Sequence, residues 1–159
     1  MKKRFDLVAT GGTFDEIHVG HLTLLSKAFE LGNKVIVGVT SDEFASRRKG
    51  KNNIKHSYQE RLASLEQAIR NNFGNVKYEI SKLDNDYGPV ILSADVAALV
   101  ASTETAGKGD EINRIRQGKG LAQIEVITVG LIRAYDGKPI SSSRIRSGEI
   151  DEFGKRLKT

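Results

Sequence analysis

Apolar positions along the chain fall into short continuous runs, and the stretches between them carry helical spacing. FDLVAT, Phe5 to Thr10, reads as a buried strand. From Gly20 to about Leu31 the pattern is helical, with Leu24, Leu25 and Ala28 on one face and Gly32-Asn33 as the stop. KVIVGVT, Lys34 to Thr40, is a second strand rich in β-branched residues, and Ser41-Asp42 can cap a short helix after it. Ser57 followed by Glu60 makes a capping box, and the helix it starts puts Leu62, Leu65 and Ile69 on one face and ends near Asn71-Asn72. A third strand starts at Val76, a fourth lies within Ala94 to Ser102, and a fifth spans Ile124 to Gly130, with a short helix at Glu111 to Gln117. Ser141 to Arg146 begins a last helix that extends, with a break at Gly148, toward Leu157.

Strands that are apolar throughout and alternate with helices predict an α/β fold. Its five-stranded parallel sheet is covered on both faces, as in a Rossmann-like three-layer sandwich. In such sheets ligands sit beyond the carboxyl ends of the strands. Gly11 to His21, Thr40, Ser102-Thr103 and Gly130 all fall on that edge.

Length and composition narrow the reading. The 159 residues suit one domain, 1–159, and 38% hydrophobic residues are enough for a real core. Cysteine is absent, so neither a disulfide framework nor a thiolate metal site is available. The basic start, MKKRFDLVAT, has too short an apolar run for a signal peptide, and no segment approaches the roughly 20 apolar residues of a membrane span. The expectation is a soluble, cytoplasmic protein without a membrane partner. A net charge of +5 favours anionic partners. Aromatic residues at 6% and the lack of Trp favour small phosphates over nucleic acid.

GGTFDEIHVGH, Gly11 to His21, carries the densest chemistry. Gly11 and Gly12 allow a tight turn and close approach of a ligand to the backbone. The helix that starts near His18 to Gly20 aims free N–H groups and its positive end at the same place, which makes an anion site. The stretch is neither a P-loop nor GxGxxG. His18 and His21, spaced i, i+3, can reach one phosphate. They can equally pack, His21 lying three and four residues before Leu24 and Leu25. A metal would need a third ligand, and the remaining histidine, His56, sits in the basic segment Arg47 to His56.

These residues are recognisable. Gly12-Thr13-Phe14-Asp15 with His18-Val19-Gly20-His21 resembles the GTFDxxHxGH motif of the nucleotidyltransferase superfamily, and Ile140 to Arg146, ISSSRIR, resembles its C-terminal ISSTxIR motif. Leu83 to Gly88 with the following proline is similar to a DxYGP segment. Ser102 to Arg116 is similar to an SxETxxGxxxINxxR segment. Both mark the archaeal phosphopantetheine adenylyltransferases and the matching domain of the eukaryotic coenzyme A synthase. The likeness covers nearly the whole chain. The chain lacks the Arg-Gly-x-Arg cluster that the bacterial branch carries after its fourth strand. The single lysine of that branch has three competitors here, Lys49, Lys51 and Lys55, of which the eukaryotic Lys-x-Lys favours Lys51 and then Lys49.

The resemblance implies transfer of AMP from ATP to 4′-phosphopantetheine, giving dephospho-coenzyme A and pyrophosphate, with Mg²⁺ delivered by ATP and no metal held by the chain itself. Dephospho-coenzyme A or coenzyme A would bind as a product-like ligand. His21, Thr13, His18 and Lys51 would be catalytic, with Thr13 orienting the attacking phosphate and the histidines donating to the ATP phosphates. Ser141, Ser142, Ser143 and Arg146 would form a second cradle for the β- and γ-phosphates. Gly11, Gly12, Gly20 and Thr103 would border the nucleotide, with Asn113 and Arg116 as further ATP contacts. Phe14, Lys49, Lys51, Asp84 and Tyr87 would meet the acceptor, and Asp15 would brace the turn. Sister enzymes use FMN, nicotinamide mononucleotide or glycerol 3-phosphate as acceptor, and the DxYGP and INxxR segments separate this chain from them. A non-catalytic basic module that binds nucleotides or RNA would have no use for the second histidine beside the serine motif.

Overall fold

β1 (Phe5–Gly12) is the middle strand of a sheet in the order β3-β2-β1-β4-β5, completed by β2 (Gly32–Thr40), β3 (Tyr78–Leu83), β4 (Ala98–Ser102) and β5 (Glu125–Val129). Every pairing is parallel. The structure is a computed structural model that describes residues 3–50, 54–88, 93–103 and 107–157.

Successive residues of each strand face opposite layers. Val8, Val35, Val37 and Val100 join a core with Leu25 and Phe29 of α1 (Val19–Leu31) and Leu65 and Ile69 of α3 (Tyr58–Phe73). Ala9 turns the other way, toward Ile112 of α4 (Gly107–Gly118), with Ile36, Leu99 and Val126 beside it. The three-layer parallel α/β architecture is therefore as the apolar runs predict. Two short helices complete it: α2 (Asp42–Lys49) after β2 and α5 (Ser142–Arg146) near the C-terminus. Among the described residues no helix is long and apolar enough to cross a membrane.

Three local expectations change. First, Gly11 and Gly12 do not turn. They continue β1 in register with Gly38 and Val39, and the reversal falls on Phe14, at φ 55°. A left-handed residue with a Cβ costs roughly 1–2 kcal/mol, which the near-complete burial of the Phe14 ring offsets. Glycine is needed at position 11 for close approach, because a Cβ there would lie 3.0 Å from the Gly38 carbonyl oxygen. Second, α4 begins at Gly107, ahead of the predicted Glu111. Third, the last helix stops at Arg146. Gly148 adopts φ 81°, the Asp151 carboxylate takes the N–H groups of Phe153 and Lys155, and an antiparallel bridge joins Ile150 to Arg156. The tail thus folds back on a small core of Ala134, Ile140 and Ile150 and is tied to α1 by Val19 N–H donating to Glu152 C=O at 2.9 Å.

Candidate active site

β1 leads to a helix on one face and β4 to a helix on the other, so a crevice opens at their carboxyl ends, where ligands of such sheets bind. A cavity of about 350 Å³ occupies it. Its centre is Thr10, Gly11, Gly12 and Thr13 at the end of β1 with His18, Gly20 and His21 at the start of α1. Gly130, Leu131, Ile132, Ile140, Ser141 and Ser142 wall the β5 flank. Thr40, Phe44, Arg48, Leu83, Asp86 and Tyr87 wall the β2–β3 flank, and Lys108 and Ile112 come from α4.

The two histidines build the start of α1. His18 is the N-cap residue. Its Nδ1 accepts the Gly20 backbone N–H at 3.1 Å, and His21 Nδ1 accepts the His18 backbone N–H at 3.2 Å. This is a capping box made of imidazoles, where serine and glutamate are usual. A ring whose Nδ1 accepts carries its proton at Nε2 when neutral. Both rings therefore present an Nε2–H donor, and they stack with centroids 3.8 Å apart at 26°. Phe14 packs against His21 at 5.0 Å between centroids.

Asp15, 5% exposed, gathers three segments. Its carboxylate accepts the backbone N–H groups of Lys55 at 3.1 Å and His56 at 2.9 Å, and Arg146 donates to it at 2.6 Å. The backbone of Glu16 is bonded twice by Ser142, whose hydroxyl accepts its N–H and donates to its C=O, each at 3.1 Å. The C-terminal serine motif is thus fastened to the turn after β1, and the end of the basic segment is fastened there too.

Arg61 holds the Thr13 side of that turn. It is fully buried, and NH1 donates to the Thr13 carbonyl at 2.8 Å. Its other donors reach the His56 carbonyl at 3.1 Å and Asp42 at 3.1 Å. Thr40 donates its hydroxyl to Thr13 Oγ1 at 3.2 Å, which leaves the Thr13 hydroxyl hydrogen as a donor beside the cavity. Arg61 lies outside the motifs that mark the site in the sequence. The available signal is its spacing, since positions 61, 65 and 69 share one helical stripe and a cation in an apolar stripe implies buried partners.

Of the residues singled out in the sequence, the crevice brings together Gly11, Gly12, Thr13, His18, Gly20, His21, Ser141, Ser142 and Tyr87. Phe14 is placed in the core, 1% exposed, as a brace for His21. Arg146 is paired with Asp15 and donates to the Ser143 hydroxyl at 3.1 Å. Ser141 caps the single-turn α5 by accepting the Arg144 N–H. Thr103 sits on the exposed turn after β4, its N–H on the Val129 carbonyl.

Asn113 and Arg116 stand apart from the cavity. Asn113 holds both backbone groups of Ile124, while Arg116, 1% exposed, donates to the carbonyls of Ala122 and Ser93. These partners precede β5 and β4, so both side chains brace the amino edge of the sheet, opposite the crevice. Asp84 is exposed, and its carbonyl accepts from Arg47. Lys49 is the last residue of α2, and Lys51 lies outside the described residues.

Electrostatic shifts mark the rim. Lys108 donates to Asp86 and holds its carboxyl below the usual range. Tyr87 donates to Glu111, which raises the phenol. Among the described residues no three His, Asp or Glu side chains gather at a spacing that would hold a metal ion.

Residues 9–148 match the family described as cytidylyltransferase-like. The chain is 43% identical over 158 residues to the phosphopantetheine adenylyltransferase of Methanothermobacter thermautotrophicus, covering 99% of this chain and 93% of that protein. It is 40% identical over 157 residues to the protein of the same name from Thermococcus kodakarensis, covering 99% and 94%. Among solved structures, a protein of unknown function from Archaeoglobus fulgidus superposes with a TM-score of 0.70 at 32% identity, over 77% of this chain and 87% of that one.

Proposed function

The chain belongs to the cytidylyltransferase-like family, and on that premise we propose that it transfers AMP from ATP to 4′-phosphopantetheine, releasing 3′-dephospho-coenzyme A and pyrophosphate. The observation that carries this reading is the pair of Nδ1-capped histidines at the head of the crevice. Curated relatives named phosphopantetheine adenylyltransferase, about 40% identical over nearly the whole chain, supply the acceptor.

In this reaction an acceptor phosphate oxygen attacks the α-phosphorus of ATP. A new P–O bond forms and the bond to the β-phosphate oxygen breaks, pyrophosphate leaving with the electron pair. The nucleophile is already ionised at neutral pH, so the chain needs no strong base. Its work is positioning, worth roughly 7–11 kcal/mol in well-oriented systems, and stabilisation of growing charge. Thr13, held by Arg61 and Thr40, donates to the acceptor phosphate. His18 and His21 donate from Nε2 to the α- and β-phosphate oxygens. Gly11, Gly12 and Gly20 allow the nucleotide close to the backbone, and Ser141 and Ser142 border its other phosphates, with Asp15 and Arg146 fixing that wall. By the motif likeness, Lys51 and then Lys49 are the lysines assigned to supply positive charge to the phosphates. Mg²⁺ would be supplied with the nucleotide and would offset phosphate charge there, and no residue of the chain is assigned to hold it. One domain, 1–159, carries all of this, and the cytoplasm, which supplies ATP, is the compartment the reading implies.

The test is product identity. Incubation with Mg-ATP and 4′-phosphopantetheine should yield a species with the mass of dephospho-coenzyme A, in amounts equal to the pyrophosphate released. ATP consumed without that species would overturn the assignment.

A further inference from the structure

The loop after β3, residues 84–88, is held from two sides. From α2, Arg47 donates to the Asp84 carbonyl at 3.1 Å and Arg48 approaches the Asp86 carboxylate to 4.0 Å. From α4, Lys108 Nζ donates to Asp86 Oδ1 at 2.6 Å, while the Tyr87 hydroxyl donates to Glu111 Oε2 at 2.8 Å. α2 follows β2 and α4 follows β4, the strands on either side of β1, so the loop ties together the two flanks of the crevice. Asn85 stiffens it, Oδ1 accepting the N–H groups of Tyr87 and Gly88. Tyr87 packs against the buried cluster that contains Ile112, as Ile36 and Leu99 do, and all four line the cavity.

The phosphate-binding groups, Thr13 and the histidines, stand at the end of β1. This second wall is different: Ile36, Leu83, Leu99 and Ile112 make it largely apolar, and on its rim Lys108 is paired with Asp86. Such a surface suits a long, uncharged chain better than a phosphate. Of the two substrates only the acceptor has one, the amide-bearing arm beyond its phosphate. The pairs that hold the loop are also partly exposed, 30% for Lys108 and 45% for Asp86. Ion pairs so exposed are weak, which lets such a loop open for entry and exit of the arm.

We propose that Asp86–Lys108 and Tyr87–Glu111 form a clasp that holds the 84–88 loop over the acceptor arm. Asp86 and Lys108 are then positioning residues for the acceptor and not for ATP. The inference rests on the reading of the acceptor as 4′-phosphopantetheine.

Steady-state kinetics on the full chain, varying Mg-ATP and 4′-phosphopantetheine in turn, test it. Lys108→Met and Asp86→Asn should each raise the acceptor KM about three- to fivefold, the upper range of an exposed ion pair, and leave the ATP KM within about twofold. The double variant should be no worse than either single one, because the two side chains act as a unit. High salt should raise the acceptor KM of the wild type by a larger factor than that of the double variant, in which screening acts on the acceptor phosphate but no longer on the clasp. An unchanged acceptor KM, an equal rise in both KM values, or additive single effects would overturn the clasp while leaving the function standing. A wild-type chain that does not turn over 4′-phosphopantetheine would overturn the functional reading and the clasp with it.

Discussion

His18 and His21 cap each other's helix turn: His21 Nδ1 takes the backbone N–H of His18 at 3.2 Å, and His18 Nδ1 takes that of Gly20 at 3.1 Å. The same bonds that start α1 fix which nitrogen of each ring is a donor. Structure and chemistry at this site can therefore be separated by substitution. His18→Asn keeps a side-chain acceptor at the N-cap and should retain the stability of the wild type, whereas His18→Ala should lose about 1 kcal/mol, the usual worth of a cap. Both should lose turnover. His21→Ala should cut turnover by roughly 10²–10³, the effect of removing one donor aimed at developing charge. Urea denaturation read beside kcat distinguishes the two effects, and wild-type turnover in His21→Ala would remove the histidine from the mechanism.

Among the described residues, Arg146 and Asp15 make the most buried ion pair near the crevice, with side chains 16% and 2% exposed. Removing the cation leaves the buried Asp15 carboxylate on the backbone N–H groups of Lys55 and His56 without its counter-charge, and desolvation then penalises it. Arg146→Ala should lower the unfolding free energy by about 3 kcal/mol. Asp15→Asn combined with Arg146→Met should recover part of that loss, because no charge is then left buried. Denaturant melts of the single and double variants measure the coupling. A single variant as stable as the wild type would mean that this contact does not hold the serine motif to the turn.

Asp86 supplies a pH signature. Its folded-state carboxyl lies below the usual aspartate value of about 3.9, chiefly through the bond from Lys108. A depressed carboxyl contributes stability that is complete above the unfolded value and is lost as pH falls through the folded one. The clasp should therefore be indifferent to pH from 8 down to about 5 and should weaken only below the ordinary carboxylate range. Carbon-13 titration of the Asp86 carboxyl should give a midpoint below about 3.9 in the wild type and a higher one in Lys108→Met. Equal midpoints would show that Lys108 does not hold the carboxylate.

How much of this was legible in the sequence differs from residue to residue for physical reasons. The parallel sheet is readable because strands covered on both faces must be apolar throughout, as β2 is with Val35 and Val37 on one face and Ile36 on the other. The location of the site followed from which loops end those strands. The turn after β1 was misplaced because glycine permits many conformations and specifies none. Gly11 serves close packing, while the left-handed residue is Phe14, held there by burial of its ring. Spacing predicts a helix for the tail, whereas the side-chain turn at Asp151 and the positive φ of Gly148 depend on contacts that spacing does not encode. Asn113 and Arg116 carry motif positions that spacing alone cannot orient, and tertiary packing turns them to the far edge of the sheet. Arg61 and the Asp86–Lys108 pair went unread because their partners lie 48 and 22 positions away along the chain.

The most direct measurement is pyrophosphate release from Mg-ATP by the wild-type chain with four acceptors offered separately: 4′-phosphopantetheine, FMN, nicotinamide mononucleotide and glycerol 3-phosphate. The account predicts release with 4′-phosphopantetheine alone. Release with another acceptor in its place would contradict the assigned substrate. Tight ATP binding with no release from any of them would contradict catalysis itself.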